Sequence, residues 1–232
     1  MRVRIKKGLP SGCFNAPPSK SYAHRLLICS ALSGGECSVS NVSRSEDVYA
    51  TIDCIRALGT EFSFSDGKIC FEKNDLKKSN NIFSCRESGS TLRFMIPIAL
   101  SRGGAFEFRG AKRLIDRGIS VYEDVFRNQG ISVRKCEDAI NFEGKLKPGI
   151  FEVRGDISSQ FITGLLFALP MLDSDSTVRV TTELESRPYI DITVDCLSRF
   201  GIEIREDKKN EFIGDLATLI GMGYEKCGTC CK

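Results

Sequence analysis

Residues 88–100 read SGSTLRFMIPIAL, in which a start of serine, glycine and threonine leads into an apolar run of helical length. Two other segments have the same design: SKSYAHRLLICSAL at residues 19–32 and SSQFITGLLFALP at residues 158–170. The segments start at residues 19, 88 and 158, so the starts are 69 and 70 residues apart. A fixed period of this size indicates an internal structural repeat.

A second series of segments follows the first at nearly the same period. It comprises SEDVYATIDCIRALGTEF at residues 45–62, DRGISVYEDVFRNQGISV at residues 116–133 and RPYIDITVDCLSRFGIEI at residues 187–204. A glycine follows the last apolar position of each helical pattern, at residues 59, 130 and 201, where helices commonly end. The starts of the first helical segments and the glycines after the second ones recur at the same period in all three copies, which argues against a chance likeness of amphipathic helices. They predict a repeating unit of about 70 residues.

Each unit is expected to hold a helix, a strand, a second helix and a pair of strands, because strand-like alternating residues follow each terminal glycine. In the first unit the turn signal Asp66-Gly67 marks the hairpin. The predicted fold is therefore an α/β (α+β) domain with pseudo-threefold symmetry, in which helices pack against mixed sheets. The predicted units are residues 19–87, 88–157 and 158–206, and residues 2–7 form a predicted strand outside the repeat.

The composition is that of an ordinary globular protein, because 41% of the 232 residues are hydrophobic, which suffices for a core without disulfides. A net charge of +3 is too small to predict binding to nucleic acid or to an anionic membrane surface. The sequence has no run of 18 apolar residues, and the basic start MRVRIKKGLPSG lacks the apolar region of a signal peptide. We therefore expect a cytoplasmic protein.

Eleven cysteines are many for a chain of this length. Cys29, Cys54 and Cys196 lie within apolar helical patterns, where a free thiol packs as a small core residue. The C-terminal CGTCC (residues 227–231) lacks the second cysteine pair or the histidines of a structural zinc site, since His24 is the only histidine. We expect reduced thiols, no metal site and no cofactor.

The starts of the three repeated helices have the chemistry of an anion site. Free backbone N–H groups and the helix dipole make a helix N-terminus a good site for phosphate or carboxylate, and a threefold arrangement can bring such starts together. Lys20, Arg93 and Arg117, which is predicted to open the second helix of the middle unit, oppose the dipole unless an anion balances them. We therefore expect an anionic ligand, and two anionic substrates fit. The candidates are Ser19, Lys20, Ser21, Ser88, Gly89, Ser90, Thr91, Arg93, Arg117, Ser158, Ser159 and Gln160.

Alternative uses of these residues remain open at this point. Serine at a helix start is most often an N-cap, so Ser19, Ser88 and Ser158 have an ordinary structural explanation. Arg25 could be a surface residue whose stem covers apolar neighbours, and His24 is expected to be structural. The sequence has no G-x-x-x-x-G-K-[ST] loop, no G-x-G-x-x-G after a strand and no nucleophile elbow that would predict another site.

Four motifs occur in the order PPSKSYAHR (residues 17–25), ESGSTLRF (87–94), GDISSQF (155–161) and ESRPYIDIT (185–193). Together they resemble the 5-enolpyruvylshikimate-3-phosphate synthase (3-phosphoshikimate 1-carboxyvinyltransferase) family, over about residues 3–205. The related UDP-N-acetylglucosamine enolpyruvyl transferases usually have asparagine after the lysine and a cysteine in the loop before the second anion-binding arginine. Here Ser21 follows Lys20 and the loop GAKRLIDRG (110–118) has no cysteine, so that family ranks second.

The resemblance implies half of an inside-out α/β barrel and an enolpyruvyl transfer from phosphoenolpyruvate to shikimate 3-phosphate, with release of phosphate, in aromatic amino-acid (chorismate) biosynthesis. It assigns the contacts with shikimate 3-phosphate to Lys20, Ser21, Arg25, Ser158, Ser159, Gln160, Ser186 and Tyr189. It assigns the contacts with phosphoenolpyruvate to Lys20, Gly89, Arg117 and Gln160, with Ser90 and Arg93 supporting that loop.

Members of this family carry a second domain of the same design, which supplies the carboxylates for proton transfer. The resemblance assigns residues 1–18 to that second domain and residues 19–206 to the substrate-binding domain. After about Glu206 the family pattern is expected to stop, and the third hairpin is expected to lose a strand. Residues 207–232 then form a divergent tail of the kind that a frameshift or premature stop produces. A complementary C-terminal half is the expected protein partner.

Three functions are compatible with these features. The chain could be an enolpyruvyl transferase that is active only when another chain supplies the second half of the site. It could also be a half-enzyme that binds shikimate 3-phosphate and catalyses nothing, because general acid–base catalysis needs a group within hydrogen-bond reach of the proton. A structural or regulatory fragment without a ligand is the third possibility.

Overall fold

Three α/β units follow one another along the chain in the computed structural model. The structure describes residues 15–73 and 80–206, together with residues 4, 8, 11–13, 76 and 211–214. All of the strand predicted at residues 2–7 except Arg4 lies outside the described residues, and so does the cysteine-rich segment at residues 227–231. None of the described helices is long and apolar enough to cross a membrane.

The units contain the following elements. The first has α1 (Lys20–Ser33), β1 (Cys37–Ser40), α2 (Glu46–Ala57), β2 (Phe62–Ser65) and β3 (Lys68–Phe71). The second has β4 (Ile82–Ser84), α3 (Gly89–Arg102), β5 (Gly104–Arg109), α4 (Lys112–Arg117), α5 (Ser120–Asn128), β6 (Ser132–Lys135) and β7 (Ala139–Gly144). The third has β8 (Ile150–Val153), α6 (Ser159–Ala168), a 3-10 turn (Leu169–Met171), β9 (Ser176–Val180), α7 (Arg187–Arg199), β10 (Ile204–Glu206) and β11 (Glu211–Gly214).

Each unit has its own small sheet, and the sheets share one topology. The strand orders are β1-β3-β2, β4-β5-β7-β6 and β8-β9-β11-β10. In the second and third sheets a parallel pair, β4 with β5 or β8 with β9, is extended by antiparallel strands. The first sheet has the three corresponding antiparallel strands among the described residues. The predicted threefold repeat with mixed sheets is confirmed.

The third hairpin corrects one prediction. We expected this hairpin to lose a strand beyond Glu206, but β11 pairs with β10 on one side and with β9 on the other. The alternation of the sequence persists there, because Phe212 is buried in the core and Glu211 pairs with Arg179 at 2.9 Å. The predicted loss of a strand is therefore wrong, because residues 211–214 supply it.

The helices form the interior between the sheets. In α3, 11 of the 14 residues are buried, and in α6 nine of the ten. A helix that is apolar on nearly all sides belongs in a core. The outer helices α2, α5 and α7 each keep an exposed polar face. Two residues after the last residue of each comes a glycine with positive backbone φ: Gly59 (+101°), Gly130 (+71°) and Gly201 (+77°). The predicted helix-ending glycines are thus confirmed, as is the burial of Cys29, Cys54 and Cys196 in the core.

The closest helix packing is between α3 and α6, at Gly164. A Cβ atom at Gly164 would lie 2.2 Å from the backbone carbonyl oxygen of Arg93 in α3. It would also lie 2.2 Å from the hydroxyl oxygen of Tyr122 in α5. No side chain fits at such distances, so glycine allows the three helices to meet here.

We expect Gly164→Ala to destabilise the chain by at least about 3 kcal/mol, because a methyl group there must push apart backbone atoms rather than a flexible side-chain end. Urea unfolding of the full chain measures the change. Gly35→Ala is the matched control, since nothing lies within 4 Å of a Cβ at Gly35 and its φ is not positive. Equal stability of the two variants would contradict the packing described.

Candidate anion-binding site

The three helix starts are capped as ordinary helices are. The hydroxyl of Ser19 accepts a hydrogen bond from the backbone N–H of Tyr22, and that of Ser88 accepts one from Thr91. Ser158 caps α6 in the same way, through the N–H of Gln160. The N-capping alternative is therefore confirmed for all three serines. Each cap satisfies one N–H of the first turn, which leaves others free for a ligand.

The starts of α3 and α6 meet in a cluster of polar side chains around Gly89. A Cβ atom at Gly89 would lie 3.0 Å from Nη1 of Arg93, 3.7 Å from Oε1 of Gln160 and 3.8 Å from Nη1 of Arg117. The amide of Gln160 bridges two of its neighbours, because its oxygen accepts from Arg93 and its nitrogen donates to Oγ of Ser90 at 2.9 Å. We call these five residues the Gly89 cluster.

Arg93 is a buried cation without an acidic partner among the described residues. Its side chain is 94% enclosed, and its guanidinium lies against neutral groups: the Gln160 amide, the carbonyl of Gly118 and the Phe161 ring at 4.9 Å. Burial lowers the pKa of Arg93, and the nearby Arg117 lowers that pKa further. Two neighbouring cations that lack a carboxylate favour an anion between or beside them.

The placement of Arg117 differs from the prediction. The sequence pattern put Arg117 at the start of a helix, but it is the last residue of the short helix α4, and α5 begins at Ser120. A cation at a helix C-terminus is favourable for the helix dipole, so the dipole argument does not apply to this residue. The distance from Arg117 to the Gly89 position is what places it in the cluster.

Lys20 also differs from the prediction, because the protein itself supplies its counter-charge. Its Nζ lies 2.6 Å from Oδ2 of Asp47, in the first turn of α2. Both side chains are partly exposed, and such pairs contribute little to stability. The prediction that Lys20 lacks a balancing anion is therefore wrong, although its side chain stays accessible at the start of α1.

Arg25 joins three helices. Its Nε donates to Oγ1 of Thr193 at 2.8 Å, and its Nη2 donates to the backbone oxygen of Tyr189 at 3.0 Å and to Oγ1 of Thr163 at 3.3 Å. A further bond runs from Nη1 to the backbone oxygen of Ser21. Burial lowers the pKa of Arg25 to about 10. The surface-residue alternative for Arg25 is wrong, because only 3% of the residue is exposed.

Two candidate residues, Ser186 and Tyr189, are exposed near the start of α7, and Tyr189 contacts Arg25 through its backbone oxygen. Ser186 is the residue before α7, and its backbone has φ +58° and ψ +35°, an uncommon conformation for a residue other than glycine. Tyr189, whose carbonyl binds Arg25, is 47% exposed. Ser159 is buried at the first position of α6. The positive φ of Ser186 and the exposed Tyr189 make the start of α7 a candidate for ligand contact.

His24 belongs to a buried chain of hydrogen bonds rather than to an acid–base site. Its Nδ1 lies 2.7 Å from Oγ1 of Thr51, which lies 2.7 Å from Oγ1 of Thr91, and Thr91 in turn donates to Ser88. These bonds link α1, α2 and α3. Burial lowers the pKa of His24 to about 4, so the ring is neutral at pH 7.

The structural residues of this region are the ones that sequence reasoning missed. Asp47, Thr163, Thr193 and Tyr122 hold Lys20, Arg25 and Arg93 in place, and no local pattern marks them, since their partners are far along the chain. Asp47 alone had a weak signal, as an acidic residue in the first turn of the second helix. Among the described residues no group of three or more histidine, cysteine or acidic side chains could hold a metal ion.

Residues 6–215 match the family described as EPSP synthase (3-phosphoshikimate 1-carboxyvinyltransferase). The chain belongs to the EPSP synthase family. Two curated relatives named 3-phosphoshikimate 1-carboxyvinyltransferase come from Clostridium novyi, 43% identical over 223 residues, and from Clostridioides difficile, 44% identical over 224 residues. Each alignment covers 91% of this chain and 51% of the relative, so the chain spans about half the length of the curated relatives it matches.

Solved structures of two enolpyruvyl transferases have the same fold as this EPSP synthase family member. EPSP synthase from Acinetobacter baumannii superposes with a TM-score of 0.73 at 20% identity, over 88% of this chain and 46% of that one. The enolpyruvyl transferase NikO from Streptomyces tendae superposes with a TM-score of 0.65 at 13% identity, over 88% and 48%. The predicted fold class and family are both confirmed.

The single histidine leads to a prediction for stability at acid pH. A histidine of the unfolded chain titrates near pH 6.5, whereas His24 of the folded chain titrates near pH 4. Between these values the unfolded chain binds more protons, so stability falls as the pH falls. Acidification from pH 6.5 to pH 5 is expected to remove about 1.5 kcal/mol through His24. Urea unfolding of the chain and of His24→Gln measures this, and an equal pH slope in both would refute it.

Proposed function

We propose that this chain supplies the shikimate 3-phosphate half of an enolpyruvyl transferase site, in the cytoplasm, where small phosphorylated metabolites are retained. The reaction transfers the enolpyruvyl group of phosphoenolpyruvate to shikimate 3-phosphate and releases phosphate. Membership of the EPSP synthase family supports the reaction class. The single structural observation that carries the proposal is the Gly89 cluster, in which Arg93 and Arg117 approach each other with no carboxylate among their described partners.

The ligands divide between the two sides of this cluster. Phosphoenolpyruvate, with a phosphate and a carboxylate, suits Arg117, Lys20, Gln160 and the free N–H groups at Gly89, with Ser90 and Arg93 behind them. Shikimate 3-phosphate suits the α6 start, where Ser158, Ser159 and Gln160 face its phosphate, as in other anion sites at helix starts. The remaining contacts proposed for shikimate 3-phosphate are with Lys20, Ser21, Arg25, Ser186 and Tyr189.

The hydrogen bonds and ion pairs of Arg25 and Lys20 specify their proposed roles further. Arg25 already donates four hydrogen bonds to the protein, so we propose that it acts on shikimate 3-phosphate mainly by its charge and by holding Tyr189. Lys20 is held by Asp47 at 2.6 Å, so a ligand that takes this lysine replaces a partly exposed ion pair. That exchange costs little, because such a pair is weak in water.

Proton transfer is the step for which we assign no group among the described residues. Addition of the shikimate hydroxyl to the enol double bond, followed by loss of phosphate, requires an acid and a base close to the reacting carbons. Asp47, the acidic residue that contacts Lys20, is already held in an ion pair with this lysine. We propose that a complementary C-terminal half supplies these groups and closes the site. In this proposal residues 19–206 are the substrate-binding domain and residues 1–18 pack with the other half.

Binding of shikimate 3-phosphate by the full 232-residue chain is the first test. Calorimetry should show binding, and Ser159→Ala should weaken it about tenfold, because a hydrogen bond to a charged phosphate is lost. Ser198→Ala is the control, since its hydroxyl bonds only within α7, to the backbone oxygen of Asp195, and is exposed. Absence of heat with millimolar shikimate 3-phosphate would refute the proposal.

Turnover separates the enzyme from a binding module. We expect no phosphate release above a no-protein blank from the chain alone, and release when the C-terminal half of the Clostridium novyi relative is added. In that mixture Arg117→Gln should lower kcat/KM at least tenfold, since a charge on phosphoenolpyruvate loses its partner. Arg113→Gln, on the same helix and exposed, should leave it unchanged. Release by the chain alone, or none from the mixture, would count against the proposed division of the site.

A further inference from the structure

A proline inside α3 leaves one carbonyl group without its helical donor. Pro97 lies in the middle of α3 and has no N–H, so the backbone oxygen of Arg93, four residues earlier, lacks its regular α-helical donor. Both residues are buried. A buried carbonyl without a donor is costly, so a partner from another element is expected.

Tyr122 supplies that partner. Its hydroxyl oxygen is 2.8 Å from the backbone oxygen of Arg93 and 2.8 Å from that of Phe161, and the residue is fully buried. A hydroxyl has a single proton to donate. Phe161 lies in α6, where the N–H of Leu165 is its regular helical donor, whereas Arg93 has none. The proton therefore belongs to the carbonyl of Arg93.

The surroundings keep this hydroxyl in one place. The missing side chain of Gly164 makes room for this hydroxyl between α3 and α6, because a Cβ there would lie 2.2 Å from the Tyr122 oxygen. The Tyr122 ring stacks on Phe126 at 5.0 Å and meets Phe161 edge-on at 4.9 Å. Burial raises the pKa of Tyr122 well above its usual value, so it remains a donor throughout the physiological range.

The same tyrosine belongs to the helix that follows Arg117. Arg117 ends α4, Gly118 and Ile119 form the link, and Tyr122 is the third residue of α5. The carbonyl of Gly118 also accepts a bond from Nη2 of Arg93 at 3.5 Å. The Tyr122 hydroxyl thus fixes the backbone of Arg93 to α5, the helix that follows Arg117 after a link of two residues.

We propose that Tyr122 is a positioning residue, which sets the spacing between Arg93 and Arg117 and thereby the fit of the Gly89 cluster to an anion. The proposal rests on the proposed function for the anion itself. The contact between Tyr122 and the Arg93 carbonyl holds the spacing, and the tyrosine does not touch the ligand.

Tyr122→Phe removes the hydroxyl and keeps the ring, and Pro97→Ala restores a backbone N–H to the Arg93 carbonyl. The four chains (parent, each single variant and the double variant) are compared at a temperature where all are folded. Urea unfolding gives stability, and calorimetry with inorganic phosphate gives affinity. The arginine 15Nε–Hε signals of residues 93 and 117 report the position of the two side chains without any ligand.

We expect Tyr122→Phe to weaken phosphate binding at least fivefold and to shift both arginine signals. In the double variant, stability should return towards that of Pro97→Ala, because the carbonyl again has a donor, while affinity stays low, because α5 is no longer tied to α3. Val125→Ala is the matched control: this residue is also buried in α5 but makes no bond to Arg93, so it should lower stability without changing affinity.

Other outcomes overturn the proposal. Three results would each show that Tyr122 acts only as a core residue. They are unshifted arginine signals in Tyr122→Phe, recovery of affinity together with stability in the double variant, and an equal loss of affinity in Val125→Ala. A parent chain that binds no phosphate while Tyr122→Phe shifts both arginine signals would refute the proposed anion site and leave the positioning role standing.

Discussion

The close packing of α3 against α6 is the constraint on which the rest of the molecule depends. The two helices are buried almost completely, and they meet where Gly164 lies against the backbone of Arg93. Because each helix start carries part of the Gly89 cluster, their separation decides whether Gln160 reaches Arg93 and Ser90. The spacing of α3 and α6 therefore sets both the packing of the core and the positions of the polar groups in the cluster. Because the interior is close-packed, a change in side-chain volume where the helices cross is expected to move those polar groups.

The polar interior is organised by hydrogen bonds that buried arginines donate to neutral oxygen atoms. Arg25 is surrounded by hydroxyl and carbonyl oxygens, and Arg93 by an amide, a carbonyl and an aromatic ring. Partners of this kind satisfy the N–H groups without cancelling the charge, so a positive potential persists at the surface of the cluster. Desolvation lowers the pKa values of both cations, because burial penalises the charged form.

Local sequence patterns were sufficient to predict the repeat, but they could not predict the side-chain contacts between the repeated units. The serine caps, the glycines that end α2, α5 and α7, and the buried cysteines depend on neighbouring residues and could be predicted. Arg117 was misplaced because α4 and α5 merge into one helical pattern when the break at Gly118 is overlooked. The Lys20–Asp47 pair joins residues 27 apart and the Tyr122 contact spans 29, so no local period reveals them. The family resemblance supplied Ser186 and Tyr189, which the helix-start argument did not reach.

The first residues of α1, α3 and α6 are Lys20, Gly89 and Ser159, a cation, a bare backbone and a hydroxyl at positions that the repeat makes equivalent. A scaffold with identical side chains at these positions would offer a threefold ligand surface, on which an asymmetric molecule could settle in three orientations. Divergence of the three positions removes that degeneracy. Different residues at its equivalent helix starts thus let a repeated fold distinguish one orientation of an asymmetric ligand from the other two, with no change in its backbone plan.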